Sequence, residues 1–136
     1  MTDSEARSFL TEMSTTELLQ PGIWSQIGIA EPDSLALIGD IGLLLATDGQ
    51  HAEIGFTLRR QSQGYGIATT AVREAIHLVF AHTQADRALG ITDARNLRSI
   101  SLLERVGMRK MESYRATFRG EPCIELVYAV SRQHDC

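Results

Sequence analysis

A change of hydrophobic period between residues 52 and 80 constrains the fold of this chain more than any other sequence feature. From Ala52 to Leu58, apolar residues alternate with Glu, Gly and Thr, which is the period-two pattern of a half-buried β-strand. A loop from Arg59 to Gly66 follows. Apolar residues then recur at helical spacing, at Ala68, Ala71, Val72, Ala75, Ile76, Val79 and Phe80. With a short strand expected at Ala88–Thr92, the stretch predicts a strand–helix–strand crossover that should be parallel and right-handed.

The remaining elements are predicted from the same two periods and from turn residues such as Glu31-Pro32-Asp33-Ser34. We therefore predict a single α+β domain over residues 1–136. Its sheet should be mixed and mostly antiparallel, with one parallel β-α-β crossover and helices on both faces. The further predicted elements are strands at Trp24–Ala30, Leu35–Leu45, Met108–Phe118 and Cys123–Val130, a helix at Asn96–Val106 that ends at Gly107, and short helices at residues 4–13 and from residue 14.

The composition is typical of one globular domain and limits the classes of partner that the domain can bind. Hydrophobic residues make up 43% of the 136 residues, and a chain of this length can bury a core without disulfides. The net charge of −4 disfavours nucleic acid and anionic membranes, which attract basic surfaces. Cys123 and Cys136 lack metal-ligand spacing, and the polar start Met1–Glu5 does not resemble a signal peptide. We expect a cytoplasmic protein that binds no metal, nucleic acid or membrane.

The loop before the long helix is the best candidate for a binding site. Gly64 and Gly66 allow a backbone to approach a ligand closely, and the first N–H groups of the following helix have no partner within that helix. With the helix dipole and the adjacent Arg59 and Arg60, they favour an anion such as phosphate. A plain strand–helix turn is the alternative. A dinucleotide-binding loop is disfavoured because Thr69 stands at the third glycine position, and no P-loop motif is present.

Together with other segments, this loop resembles the acetyl-CoA pyrophosphate loop of the GNAT N-acetyltransferase superfamily. It has the form Q-x-x-G-x-G from Gln61 to Gly66, and Asn96–Met108 resembles the N-x-x-S helix of that family. The strands at residues 37–42 and 52–56 and the closing hairpin also fit. The resemblance covers residues 24–131 and is closest to the RimJ/RimL-like branch, which acetylates protein N-termini, with relatives acting on small amines. It implies acetyl-CoA as cosubstrate and direct acetyl transfer to a primary amine.

The resemblance also implies roles for individual residues. The loop and helix start would hold the pyrophosphate, and the strand backbone from Ile54 to Thr57 would pair with the pantetheine arm. Asn96 would hydrogen-bond the end of that arm, although a helix N-cap is the commonest use of Asn there. Arg95 and Arg98 are candidates for the adenosine phosphate, but exposed arginines are more often only solvated, which we favour. The implied cofactor-binding set is Ile54, Phe56, Thr57, Gln61, Gln63, Gly64, Tyr65, Gly66, Ile67, Ala68, Thr69, Asn96 and Ser99.

Two residues are candidates for catalysis. Glu53 would remove a proton from the amine, through water, and Ser99 would donate a hydrogen bond to the leaving sulfur. Their structural alternatives are a solvent-facing strand residue and a helix-start residue that bonds locally. Many relatives have a tyrosine where this chain has Leu103, and the opening strand and helix of the family are unmatched. The alternative functions are a catalytically weak or inactive CoA-binding or interaction module, and a nucleotide-binding regulatory domain.

The predicted sheet also places several side chains. Glu53 should point to the face opposite Ile54 and Phe56, because successive strand residues alternate between faces. The strand at Trp24–Ala30 should lie at a sheet edge, which favours a homodimer because unprotected edges tend to pair. Structural roles are expected for Tyr65, Tyr114 and Tyr128.

Overall fold

The computed structural model describes residues 19–31, 34, 36–64 and 66–132. The helices predicted before residue 19 lie outside these residues, as does Tyr65. The described elements are, in chain order, β1 (Trp24–Ala30), β2 (Leu37–Leu45), β3 (His51–Leu58), a 3₁₀ helix (Arg60–Ser62), α1 (Ile67–His82), β4 (Arg87–Asp93), α2 (Leu97–Arg105), β5 (Arg109–Phe118) and β6 (Glu121–Ser131).

The six strands form a mixed sheet in the order β1-β2-β3-β4-β6-β5. Strands β3 and β4 are parallel, and the other four neighbouring pairs are antiparallel. The predicted mixed sheet with one parallel crossover is therefore confirmed, and β1 lies at one edge as expected. The homodimer stays a prediction. Neither described helix combines the length and apolar character needed to cross a bilayer.

One face of the sheet carries the apolar core. Ala52 of β3 pairs with Ala88 of β4, and Gly90 lies two residues further along the same face. A Cβ added at Gly90 would be 2.6 Å from the Cδ2 atom of Leu103, so α2 packs directly on this face. The largest fully buried side chains of the core are Ile27, Ile29, Ile41, Leu43, Leu103, Val72 and Val79.

Helix α1 lies beside α2 and joins the same core. Its buried side chains repeat at helical spacing, as the sequence predicted, because only one stripe of the helix meets the sheet. The Arg73 guanidinium donates a hydrogen bond to the Arg105 carbonyl oxygen over 3.2 Å and so ties the middle of α1 to the end of α2. The two described helices therefore form one packed layer, which positions the start of α2 near the loop that precedes α1.

The closing hairpin is tighter than predicted. The loop was expected at residues 119–122, but Phe118 pairs with Glu121 and the turn consists of Arg119 and Gly120 alone. Both turn residues have positive φ angles, 51° and 81°, which is the conformation of a two-residue turn whose twist matches the flanking strands. Pro122 therefore joins β6 near its start, at the edge of the turn, where a missing N–H is tolerated.

The contact between β2 and β3 depends on Gly39. A Cβ added there would lie 2.2 Å from the Thr57 carbonyl oxygen and 2.9 Å from the Leu58 Cα atom, both backbone atoms that cannot rotate away. We expect Gly39→Ala to lower the free energy of unfolding by about 3 kcal/mol, at the upper end of usual overpacking costs. Urea denaturation measures this change.

Gly55→Ala is the matched control for this prediction. Gly55 lies in the same strand pair, and within the described part of the chain a Cβ added there would meet nothing closer than 4 Å. Its substitution should change the free energy of unfolding by no more than about 1 kcal/mol. Equal losses in the two variants would contradict the argument from backbone contact.

Candidate functional site

Strands β3 and β4 separate after three residue pairs. They pair at His51–Arg87, Ala52–Ala88 and Glu53–Leu89. Beyond this point β3 remains paired with β2 and β4 remains paired with β6. Within these two strands, which the structure describes completely, no pairing joins residues 54–58 to residues 90–93. An extended molecule can therefore enter this gap and pair with the strand backbone as an added strand.

The glycine loop lies at the open end of this gap, because it directly follows β3. Gly64 and Gly66 have φ angles of 90° and 76°, and a Cβ added at either would meet no atom of the described residues within 4 Å. Gly66 is the N-cap of α1 and supplies no side-chain hydrogen bond. The first N–H groups of α1 therefore face a loop that leaves room for an anion. Arg59 and Arg60 are exposed beside it.

The start of α1 offers a ligand mainly backbone N–H groups rather than side chains. The side chains of Ile67 and Thr69 are buried, with 9% and 6% exposure, and that of Ala68 is half-buried. Ile67 and Ala68 can therefore reach a phosphate only through their N–H groups. A contribution from the Thr69 hydroxyl stays a prediction.

Gln63 connects the loop to both neighbouring elements. Its Nε2 atom donates a hydrogen bond to the Leu58 carbonyl oxygen over 3.1 Å, at the end of β3. Its Oε1 atom accepts a hydrogen bond from the Arg98 Nη1 atom, near the start of α2. Gln61, the residue that the motif singled out, is exposed instead. The two side-chain hydrogen bonds of Gln63 thus hold the loop against β3 and α2. The sequence pattern did not predict these hydrogen bonds.

Asn96 acts as the N-cap of α2. Its Oδ1 atom accepts a hydrogen bond from the Ser99 backbone N–H over 3.1 Å, which confirms the structural interpretation of this residue. The Asn96 Nδ2 group has no partner among the described residues, so the same side chain can still donate to a ligand. Ser99 is half-buried, and its hydroxyl makes no hydrogen bond within the described part of the chain. The predicted local bond of this hydroxyl is therefore not seen.

Glu53 is the last residue of β3 that pairs with β4, so it stands where the gap opens. Its side chain points away from the face formed by Ala52 and Ile54, as predicted, and it is half-buried. Burial raises the pKa of Glu53 above its ordinary value of 4.5. The charge of Glu125 also raises this pKa, and that of His51 opposes the change. A carboxylate with a raised pKa is a stronger base than an exposed one.

Tyr114 and Glu125 form a cross-strand pair on the closing hairpin. The Tyr114 hydroxyl donates a hydrogen bond to the Glu125 Oε2 atom over 2.5 Å, and this bond is the main cause that raises the pKa of Tyr114 to about 12. Tyr114 therefore keeps its proton at neutral pH and cannot act as a base. Tyr128 is buried, with its hydroxyl 3.5 Å from Glu104. Glu125, whose charge raises the pKa of Glu53, is not among the site residues predicted from the sequence.

The two arginines at the start of α2 have different surroundings. Arg95 pairs with Asp93, with 2.8 Å between its Nη2 atom and the Asp93 Oδ2 atom, and hydrogen bonds from Arg95 lower the pKa of Asp93 to about 2. Arg98 contacts the neutral amide of Gln63. The structure therefore turns only Arg98 toward the loop. The described residues include no group of three or more acidic, histidine or cysteine side chains placed to hold a metal ion.

The sequence matches a known family over most of its length. A family model described as an acetyltransferase (GNAT) domain matches residues 1–109. The chain therefore belongs to the GNAT acetyltransferase family, and the gap and the glycine loop described above are features of a member of that family.

Solved structures share the fold at low sequence identity. A protein described as a probable acetyltransferase is 23% identical, with a TM-score of 0.75 over 87% of this chain and 64% of its own. The microcin C7 self-immunity acetyltransferase MccE, solved in complex with acetyl-CoA and AMP, is 19% identical, with a TM-score of 0.73 over 80% and 61%. The ribosomal-protein-S5-alanine acetyltransferase from Vibrio fischeri is 18% identical, with a TM-score of 0.71 over 78% and 60%. The chain spans less than two thirds of each.

Proposed function

We propose that this chain is an acetyl-CoA-dependent N-acetyltransferase that moves an acetyl group directly to a primary amine. The observation that carries the proposal is the position of the gap: β3 and β4 separate at Glu53, and the glycine loop follows at the end of β3. A pantetheine arm and a pyrophosphate need these two features in this order. Family membership and the MccE complex with acetyl-CoA support the same function.

The residues present fit acetyl-CoA. The open space in front of Gly64 and Gly66 and the first N–H groups of α1 suit a pyrophosphate. The backbone of Ile54–Thr57 is unpaired on its β4 side and suits the amide groups of pantetheine. The Asn96 Nδ2 group can donate to the end of that arm. When bound, acetyl-CoA supplies an activated acetyl thioester.

The chain offers a base and a hydrogen-bond donor for direct transfer. Glu53 would accept, through water, the proton that the amine loses as its nitrogen bonds to the acetyl carbon. The carbon–sulfur bond then breaks, and the Ser99 hydroxyl would donate a hydrogen bond to the thiolate, which finally takes up a proton. The half-buried position and raised pKa of Glu53 support these roles, as does the hydroxyl of Ser99, which makes no hydrogen bond to another described residue.

The acceptor is proposed to be a protein N-terminal α-amine or a small-molecule amine, as in the RimJ/RimL-like branch. The likeness to an acetyltransferase that acts on ribosomal protein S5 supports the first of these classes. A screen of N-terminal peptides, polyamines and aminoglycosides at fixed acetyl-CoA concentration distinguishes them.

Two measurements on the unaltered chain test the function. Titration calorimetry should show binding of acetyl-CoA, and a thiol reagent should report CoA release that depends on an added amine. Failure to bind acetyl-CoA would refute the proposal. Binding of acetyl-CoA without amine-dependent thiol release across the acceptor screen would support the second candidate instead.

That second candidate is a CoA-binding module with weak or no catalysis. The observation that favours it is Leu103, which stands where many relatives have a tyrosine. Leu103 is 1% exposed and packs against Gly90 of β4, so it cannot donate a proton to a leaving thiolate. Ser99 is then the donor on which the turnover of this chain depends.

A further inference from the structure

Glu53 and Glu125 lie on the same face of the sheet, opposite to the face on which α2 packs against Gly90. Glu53 pairs with Leu89 of β4, and Glu125 pairs with Asp93, four residues further along the same strand. Directly paired residues share a face, and so do residues an even number of positions apart on one strand. Glu53 therefore stands where β3 and β4 separate, and Glu125 stands beside the far end of β4.

The carboxylate of Glu125 keeps an unbalanced negative charge. The Tyr114 hydroxyl donates a hydrogen bond to its Oε2 atom over 2.5 Å, but a protonated phenol carries no charge. This bond leaves the Oε1 atom of Glu125 available, because a carboxylate accepts several hydrogen bonds. The pair of Asp93 with Arg95 is the one ion pair among the described residues, so none of them neutralises Glu125. A half-buried carboxylate in this state attracts a cation.

An apolar surface separates the two carboxylates. Ile91 lies on the same face, between the levels of Glu53 and Glu125, and is 37% exposed. Its partner on β6 is Val127, which is two residues from Glu125. The exposed ring of Tyr114 borders Glu125 on the next strand. A ligand with methylene groups between two polar ends would cover Ile91 while its ends reach the two carboxylates.

We propose that Glu125 is a specificity-determining residue that binds a second positive charge on the acceptor amine, and that Tyr114 is its positioning residue. This inference rests on the proposed function and narrows its acceptor to primary amines that carry another cationic group several bonds away. The amine that reacts must be uncharged, so it cannot balance the charge of Glu125. A distant ammonium or guanidinium group can. Diamines and peptides with a basic residue near the N-terminus both offer this chemistry.

The first test compares α,ω-diamines of increasing length with n-alkylamines in which a methyl group replaces the second amine. It is made at a pH well above the pKa of Glu53. The KM of the unaltered chain for its best diamine should be about tenfold lower than for the matched alkylamine, the usual effect of a hydrogen bond between charged groups. The two kcat values should agree within about threefold, because a contact remote from the reacting atoms contributes uniform binding.

The second test uses variants of the hairpin. Glu125→Gln should raise the KM for the diamine about tenfold and leave the KM for the alkylamine unchanged. Tyr114→Phe keeps the ring but releases the carboxylate, so it should raise the KM for the diamine by a smaller factor. It should have no further effect in a chain that already carries Glu125→Gln. Thermal unfolding confirms that the variants fold, and Tyr114→Phe serves if Glu125→Gln does not.

Glu121→Gln is the matched control. Glu121 is an exposed carboxylate on the same strand and the same face, four residues from Glu125 and next to the turn. Its substitution removes the same charge at a position that does not border the gap. The KM values for the diamine and for the alkylamine should both stay unchanged.

Peptides distinguish the two sources of the second charge. Two N-terminal peptides that differ only by Arg or Gln close to the N-terminus should differ in KM as the amines do, if the acceptor is a peptide. A preference among the small amines without one among the peptides identifies a small-molecule acceptor.

Equal KM values for charged and uncharged acceptors, in both the amine and the peptide series, would overturn the inference and leave the proposed function intact. Equal effects of Glu125→Gln on the diamine and the alkylamine, or equal effects of Glu121→Gln and Glu125→Gln, would do the same. If no amine gives thiol release from acetyl-CoA, both the inference and the proposed function fail.

Discussion

Gly66→Glu should abolish acetyl-CoA binding, with a dissociation constant at least about 100-fold higher than that of the unaltered chain. Gly66 is the N-cap of α1, has a φ angle of 76° and faces open space. A carboxylate there would lie against the pyrophosphate, and juxtaposed like charges cost several kcal/mol, of which each 1.4 kcal/mol is about tenfold. Calorimetric titration measures the loss.

Gly49→Glu is the matched control. Gly49 has a φ angle of 72°, and among the residues that the structure describes a Cβ added there also meets nothing within 4 Å. It lies in the turn between β2 and β3, at the opposite end of β3 from the loop. Both variants carry the same charge and a similar backbone strain of about 1–2 kcal/mol. Similar affinities of the two variants for acetyl-CoA would show that the loop does not bind the coenzyme.

Glu53→Gln should lower kcat about 100-fold, a typical effect of losing a general base, with little change in acetyl-CoA affinity. Stability should not fall. Because the pKa of Glu53 is raised in the folded chain, its contribution to stability is present below 4.5 and lost as pH rises through the folded-state pKa. At neutral pH the ionised group therefore opposes folding, and its replacement by an amide removes that cost. Steady-state kinetics and thermal unfolding measure the two effects.

The pH dependence of kcat/KM distinguishes a catalytic role of Glu53 as a base from a purely structural role. The acidic limb of kcat/KM should lie above pH 4.5 in the unaltered chain and disappear in Glu53→Gln. Glu125→Gln should move this limb to lower pH, because the charge of Glu125 raises the pKa of Glu53. Glu31→Gln, at an exposed residue after β1, should leave both kcat and the limb unchanged. An unchanged kcat in Glu53→Gln would exclude it as the base.

The sequence predicted those parts of the site that depend on local periodicity. The alternation of apolar and polar residues from Ala52 to Leu58 correctly predicted strand β3 and the face of the sheet to which Glu53 points. The glycines correctly gave a loop that leads into a helix, since both the strand and the helix are specified by residues close together in the chain. That the backbone of Ile54–Thr57 is free to pair with a ligand was expected only from the resemblance, because no local pattern states where two strands stop pairing.

The closing hairpin shows why other parts were not predicted. A loop at residues 119–122 would pair Phe118 with Cys123 and hence Tyr114 with Val127. The two-residue turn shifts this register and places Tyr114 opposite Glu125. The sequence feature that could have indicated the two-residue turn is the pair Arg119-Gly120. It was not decisive, because Arg rarely adopts the positive φ angle that such a turn requires. Contacts such as that of Gln63 with Arg98, which are 35 residues apart, depend on tertiary packing and leave no trace in periodicity.

The early separation of β3 and β4 also affects how the sheet holds together. Three residue pairs join a half-sheet of β1–β3 to a half-sheet of β4–β6, and both halves are otherwise antiparallel. The junction of β3 and β4, at the centre of the sheet, has fewer residue pairs than any other two neighbouring strands of this sheet. A molecule that pairs with both β3 and β4 would join the two half-sheets as an added strand. Its binding should therefore also stabilise the sheet as a whole.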